Sequence, residues 1–353
     1  MVGQSTRLQW RADTYSIPMS DGVYLRGNNS RLILKGKSLY HLLERLAPTL
    51  NGEVTLEQIT EGLDADKKRM VMNLLEKLAD HHFLRDRSQD QLHGLDLAEL
   101  ETYAPNLTFI ESFQTSAAYR FERFRNQRLL LIGSGPGCAS LLHTSLQGGV
   151  KQVNVLLTPG DEIGLYSPRD LLASFAGTIP DEHVQCIDTP AWENEAEVRA
   201  TIRAYDAVLH IAEQPALARA RLLNRVCIEE QKTFIQAVII DERAWIGPLV
   251  CPETGNCWEC AWRRLQANLT DLTESMARYE FHTQPPTSAS QPLTMAEATL
   301  VANQLLFTLF QHVTQVSATE TAGRLSALDL ATLQSESHAF QPHPHCRVSQ
   351  HPV

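Results

Sequence analysis

The chain has 353 residues, 43% hydrophobic and 20% charged, the composition of an ordinary globular protein with room for two domains. Its 31 lysines and arginines face 41 acids, and a net charge of −10 argues against nucleic-acid binding, which needs a basic surface. No apolar run of about 18 residues offers a membrane span, and Met1 to Trp10 lacks the apolar core of an export signal, so a cytoplasmic protein is expected, with its seven cysteines as reduced thiols or metal ligands.

In chain order, the first unit, residues 1–90, reads as strands followed by helices. Tyr15 to Met19 and Val23 to Arg26 flank Asp21-Gly22, a hairpin turn pair. Arg31 to Lys35 is a third strand ending at Gly36. Leu39, Leu42, Leu43 and Leu46 then recur with the spacing of one helix face, stopped by Pro48. Thr55 and Gln58 form a capping box for a short second helix. A third helix runs from about Asp64 to Asp80 with Val71, Leu74, Leu75 and Leu78 on one face. Three strands and three helices make a winged helix-turn-helix layout. Lys67, Lys68, Arg69 and Lys77 would suit DNA, but a solvated helix face explains them equally well in so acidic a chain.

Residues 91–127 begin polar and acidic and continue through Phe109, Phe113, Tyr119, Phe121 and Phe124, which reads as a linker and a helix packed on the second domain. That domain takes 128–353. Leu129-Leu130-Leu131-Ile132 is a continuous apolar run, as in a parallel strand covered on both faces. Further strands are expected at Gln152 to Leu157, Ala207 to Ile211 and Thr233 to Ile240, with helices around Glu195 to Ala204 and Pro215 to Glu230. A Pro/Ser/Thr-rich crossover, His282 to Pro292, leads to a long helix, Thr294 to Thr314, and a late strand, Arg324 to Leu330. Alternating strands and helices imply an α/β fold with a doubly wound sheet.

Two motifs carry chemistry. After the first parallel strand stands Gly133-Ser134-Gly135-Pro136-Gly137-Cys138. Gly133 and Gly135 suit a phosphate-cradling turn, but the third position of the fingerprint is Cys138, with Gly137 one residue early. After the second strand, where an acid would hold a ribose, the chain reads Thr158-Pro159-Gly160, with Asp161 late, so the nucleotide loop reads as degenerate. Cys138, Cys186 and Cys227 lie in or beside apolar segments and read as core; only Cys138, at a helix start, is placed for reactivity. The second motif is Cys257-Trp258-Glu259-Cys260, with His343-Pro344-His345-Cys346 far downstream. Two cysteines on one turn plus a distant thiolate and imidazoles suit a structural zinc. Cys257, Cys260 and Cys346 are the expected ligands, with the fourth among His351, His343 and Cys251.

Leu129 to Cys138, Asp206-Ala207-Val208-Leu209-His210-Ile211-Ala212-Glu213-Gln214, Ile246 to Val250 and the C-x-x-C knuckle together resemble the E1-like (ThiF/MoeB) fold. The winged-helix unit before it resembles the peptide-recognition element of ribosomal peptide modification. In this order the pair resembles the leader-peptide-binding protein of thiazole/oxazole-modified peptide (bacteriocin cyclodehydratase) pathways. The resemblance implies a protein that binds a precursor's leader and presents it to a separate YcaO cyclodehydratase, and it leaves room for a homodimer through the E1-like domain. In active E1-like enzymes a D-x-V-x-D-x-x-D-N pattern supplies the metal-binding Asp, which here falls on Glu213, and the preceding Asp falls on His210. The Asn and Arg-Gln contacts to ATP are matched only by Tyr166 to Asp170. These departures argue against ATP use and against catalysis by the chain itself; an active adenylating enzyme is the alternative.

The leader is expected to add a strand beside Leu32, Ile33, Leu34 and Lys35, in a groove shared with the third helix. Met70, Met72, Leu75 and Ala79 are candidates for the pocket side, and Lys68 or Lys77 for acidic residues of the leader.

Overall fold

Alternation of inward and outward side chains shapes the N-terminal sheet. The computed structural model describes residues 5–27, 30–158, 183–213, 216–240, 242–252, 256–267, 293–317, 323–343, 346 and 348. Strands β2 (Tyr15–Met19), β3 (Gly22–Arg26) and β4 (Arg31–Lys35) form an antiparallel sheet in the order β2-β3-β4. Val23, Leu25 and Leu34 turn inward onto α1 (Leu39–Leu46), α2 (Leu56–Ile59) and α3 (Ala65–Asp80), joining Leu43, Leu56, Val71, Leu74, Leu75 and Leu78 in one core. Thr55 and Gln58 do close a capping box at α2, and the Asp64 side chain caps α3. One pairing is additional to the sequence reading: β1 (Leu8–Trp10) lies antiparallel to β5 (Leu84–Asp86). Strands of three residues are too short to show a period.

The stretch read as a linker belongs to the first compact unit, which runs Met1–Arg123; the second is Phe124–Val353. It contains α4 (Leu97–Thr102) and α5 (Ala104–Glu111), and α6 (Ala117–Arg125) follows. Arginines from the β1–β5 ribbon hold it. Arg85 donates to Glu111 at 2.7 Å and to Gln9 at 2.6 Å, and Arg11 donates to the Glu111 and Ser112 carbonyls at 2.9 and 2.6 Å. Burial pushes the Glu111 carboxyl up, against the opposing pull of the Arg85 charge.

The second unit is built on an eight-stranded sheet. Its strands are β6 (Arg128–Gly133), β7 (Gln152–Leu157), β8 (Val184–Ile187), β9 (Ala207–Ala212), β10 (Thr233–Ile240), β11 (Arg243–Ile246), β12 (Arg324–Asp329) and β13 (Ser335–Ala339). Their order is β13-β12-β11-β10-β9-β6-β7-β8; β10 through β8 run parallel, and β11 to β13 add an antiparallel flank. Strands β6 and β9 are buried along nearly their whole length because both faces are covered. Leu130 and Ile132 share a core with Val198 and Ile202 of α8 (Glu195–Arg203) and with Leu223 and Val226 of α9 (Leu217–Glu229). Leu129 and Leu131, equally buried, point the other way. Helix α7 (Gly135–Gln147) packs against α11 (Met295–Thr314), with a Ser140–Thr299 hydroxyl pair at 3.2 Å, and a Thr294–Glu297 capping box starts α11. The expected strands, α8, α9 and α11 stand where the periodicity placed them; β8, β11 and β13 are additional, and the 282–292 crossover lies outside the described residues. Among the described residues no helix is long and apolar enough to cross a membrane.

Candidate functional site

Three places deserve a chemical reading: the β4 edge, the glycine loop and the cysteine cluster. In the N-terminal unit β4 pairs with β3 alone, so its outer edge presents free backbone donors and acceptors among the described residues. The other edge strand, β2, carries Pro18, which has no N–H to give a further strand. Of the residues expected at a peptide groove, Ile33 and Lys35 are exposed and Leu32 and Lys68 are half-buried. Met72 and Ala79 are half-buried against the core, and Met70 and Lys77 are exposed. Leu75 requires a correction: it is fully buried at the centre of the unit and offers no surface to a ligand. Leu34 likewise turns its side chain into the core and pairs with Val23 of β3; in this alternation the backbone of Ile33 faces the open edge.

The glycine loop joins β6 to α7 at the centre of the parallel sheet, where such folds bind nucleotides. Gly133 and Gly135 both have positive φ, and a Cβ on Gly133 would meet the Ile211 carbonyl oxygen at 2.5 Å. Ser134 gives α7 no side-chain cap; its hydroxyl instead pairs with that of Thr158 at 3.0 Å, closing the place where a ribose-binding acid would stand. The helix N-terminus is met from the end of β9. The Gly137 N–H donates to Glu213 Oε1 at 2.7 Å, and a Cβ on Gly135 would come within 2.8 Å of the same oxygen. A carboxylate of the chain itself therefore lies in the anion-binding position. A phosphate at this loop would have to displace the Glu213 carboxylate. The sequence reading had Glu213 as a misplaced metal ligand and gave no sign of this contact.

Beside it, His210 is fully buried with Nδ1 3.3 Å from the Gln236 side-chain oxygen, and burial, aided by the Arg219 charge, pushes its pKa down to about 3. It is a neutral imidazole where the resemblance places an Asp. Cys138 is also fully buried; burial and the Glu213 charge push its thiol up, which removes it as a reactive group. Tyr166 to Asp170 lie outside the described residues.

Among the described residues, the cysteine cluster is the group of metal-ligating side chains that converges as the sequence suggested. Cys257 precedes α10 (Trp258–Ala267), Cys260 sits in its first turn, and Cys346 arrives from beyond β13. The three sulfurs lie within 4.8 Å of one another and are fully buried. Cys257 Sγ is 3.3 Å from Cys260 Sγ and 3.5 Å from Cys346 Sγ. Thiolates on a tetrahedral zinc, at about 2.3 Å each, stand about 3.8 Å apart, so the trio fits a metal ion. The intervening residues fix the knuckle: the Trp258 N–H donates to Asn224 Oδ1 at 2.9 Å, and Glu259 is held by Arg221 and Arg263 at 3.0 and 3.1 Å. Of the fourth-ligand candidates, neither His343 nor Cys251 is in the group whose ligand atoms lie within 4.8 Å of one another; the His343 backbone N–H meets Cys260 Sγ at 3.2 Å, and Cys251 is buried. His351 lies outside the described residues. The hydrogen bond between the Cys257 and Cys260 sulfurs, then burial, push the Cys257 thiol up.

Known proteins were compared against this geometry. No protein-family model and no curated protein sequence matches the chain. Solved structures do, and they define the class of fold. The microcin C7 biosynthetic enzyme MccB in complex with N-formylated MccA is similar over 97% of this chain and 99% of its own, at 13% identity and a TM-score of 0.67. E. coli MccB with ATP is similar over the same shares, at 12% identity and a TM-score of 0.66. A heterocyclase in complex with substrate and cofactor is similar over 98% of this chain but 39% of its own, at 17% identity and a TM-score of 0.57. At these identities the likeness establishes a shared fold across nearly the whole chain, in keeping with the E1-like resemblance.

Proposed function

We propose that the chain captures the leader of a ribosomally made precursor peptide as a strand added to β4 and presents it to a separate YcaO-type cyclodehydratase for azoline formation. The observation that carries this reading is the unpaired β4 edge, proline-free and exposed, in a chain sharing its fold with an enzyme solved in complex with a peptide. Main-chain hydrogen bonds supply affinity in strand addition, and neighbouring side chains supply specificity. The heterocyclase neighbour, solved with substrate, supports azoline chemistry as the setting. In this reading the chain is a cytoplasmic scaffold without catalysis of its own. The support for that is Glu213, whose carboxylate stands where a phosphate would bind. Cys257, Cys260 and Cys346 hold a structural zinc that ties the C-terminal segment to α10, and no chemistry passes through it.

A second reading, an adenylating enzyme acting on the bound peptide, is favoured by the similarity to MccB solved with ATP. It requires Glu213 to leave the glycine loop and turn to a metal ion. One experiment separates the two. Full-length protein is titrated with a labelled leader, wild type against Ile33→Pro, and ATP consumption is followed with precursor alone and then with the YcaO partner. The scaffold reading expects micromolar binding or better, on the order of −8 kcal/mol, weakened by the proline, with ATP consumed only once the partner is present. Peptide-dependent pyrophosphate release by the chain alone would replace it with the second reading.

A further inference from the structure

Along β4, successive side chains alternate between faces. Leu32 and Leu34 turn inward, so Arg31, Ile33 and Lys35 share the outer face, all exposed. Ile33 stands in a row with Tyr24 and Ile17, Arg31 with Arg26 and Tyr15, and Lys35 with Gly22 and Met19. The outer face is therefore an apolar band, with Tyr15, Ile17, Met19 and Ile33 between 41% and 54% exposed. At the free edge that band is bracketed by two cations. Among the described residues neither Arg31 nor Lys35 takes part in an ion pair, although the chain carries ten more acids than bases.

We infer that the strand added to β4 carries an acidic residue, then any residue, an apolar residue, any residue and a second acidic residue. This rests on the strand-addition reading and deepens it by naming the class of peptide. The apolar side chain lies directly opposite Ile33, extending the band, and the acids lie opposite Arg31 and Lys35. Directly opposed side chains on one sheet face are the pairs that stabilise a strand pairing, and opposite charges are favoured there. The pattern reads the same in both chain directions, so parallel and antiparallel addition demand the same residues. The same alternation disfavours a second copy as the occupant: antiparallel self-pairing centred on Ile33 would set Arg31 against Lys35, like charge on like charge.

The test is a display selection of random peptides on full-length protein, run on wild type and on the Arg31→Glu, Lys35→Glu double variant. Both substitutions are at exposed positions, and melting curves establish that the variant is folded. Wild type should enrich acid-x-apolar-x-acid, and the variant should enrich bases at the same two positions. A synthetic wild-type winner should bind the variant about tenfold or more weakly and recover when its acids are replaced by lysines. Winners that lose binding on Ile33→Pro yet show no acids and ignore the charge reversal overturn the pattern while strand addition stands. Winners indifferent to Ile33→Pro, or no winners at all, overturn both. Self-association of the wild type that Ile33→Pro abolishes would overturn the inference in favour of a second copy.

Discussion

Glu213→Ala removes the carboxylate that accepts the Gly137 N–H at 2.7 Å. A hydrogen bond to an ionised acceptor contributes about 1.5–3 kcal/mol, and this one lies at the N-terminus of a 13-residue helix whose dipole favours negative charge. The variant should lose that amount. For a domain of this size each kcal/mol moves the melting temperature by about 2–4 °C, so a fall of roughly 3–12 °C is expected. The same free energy opposes nucleotide entry in the wild type, since a phosphate must displace the carboxylate. With about 1.4 kcal/mol per decade, the variant should bind nucleotide about 10- to 100-fold more tightly than wild type. Thermal melts with and without magnesium and ATP, followed by calorimetric titration, read both effects. The wild-type melting temperature should stay put at ATP concentrations that raise the variant's. If ATP instead stabilises the wild type and the variant loses the response, Glu213 is a metal ligand and the capped-loop argument is refuted.

Other outcomes follow from the same geometry. Protein purified without added metal should carry one zinc per chain, and Cys257→Ser should lower both metal content and stability, the latter by several kcal/mol, as read by metal analysis and urea melts. Leu75→Ala should destabilise by about 2–5 kcal/mol as a core cavity while leaving leader affinity unchanged under folding conditions; weaker binding at unchanged stability would return Leu75 to the peptide site. Hydrogen bonds from Arg203, then Arg199, hold Glu230 down to about 2 from its ordinary 4.5. A depressed carboxylate contributes stability above its unfolded pKa and loses it as pH falls through the folded value. The melting-temperature advantage of wild type over Glu230→Gln should therefore be full at neutral pH and vanish between about pH 4.5 and 2.

The elements legible in the sequence are those with a local signal. The Asp21-Gly22 hairpin, the Thr55–Gln58 box and the Leu129 to Ile132 run each declare themselves within a few residues; the box and the run stand where their signals placed them, and the hairpin forms with its turn one residue earlier, at Ser20-Asp21, Gly22 already being in β3. The cysteine trio was legible for another reason: thiols at C-x-x-C spacing have few roles, and Cys346 had few others. What lacked a local signal was missed or misplaced. The β1–β5 ribbon joins segments nearly eighty residues apart, and the charges that bind residues 91–123 to it reach from Arg11 and Arg85. Helical periodicity placed Leu75 on an apolar face but does not say which apolar residues a groove exposes, and the core took it. At Glu213 the added methylene, about 1.5 Å of reach, reads in sequence as a carboxylate displaced from a metal. In space it is the reach that brings Oε1 to Gly137.

Under the scaffold reading, that contact also bears on how the fold would persist without a nucleotide. A glycine loop without a phosphate would leave helix N–H groups facing a partly buried site, and each unsatisfied donor costs about 1–3 kcal/mol. Glu213 answers one of them with charge of the right sign, and the Ser134–Thr158 hydroxyl pair closes the adjoining ribose position. Neither repair touches the side chains that hold the sheet together, since Leu129 to Ile132 and Val208 to Ile211 owe their burial to the helices on both faces. On the scaffold reading, a sheet stabilised in this way would hold its fold without adenylation. Selection would then act on the β4 edge, where a leader's alternating side chains are read, with no further demand for phosphate at the loop.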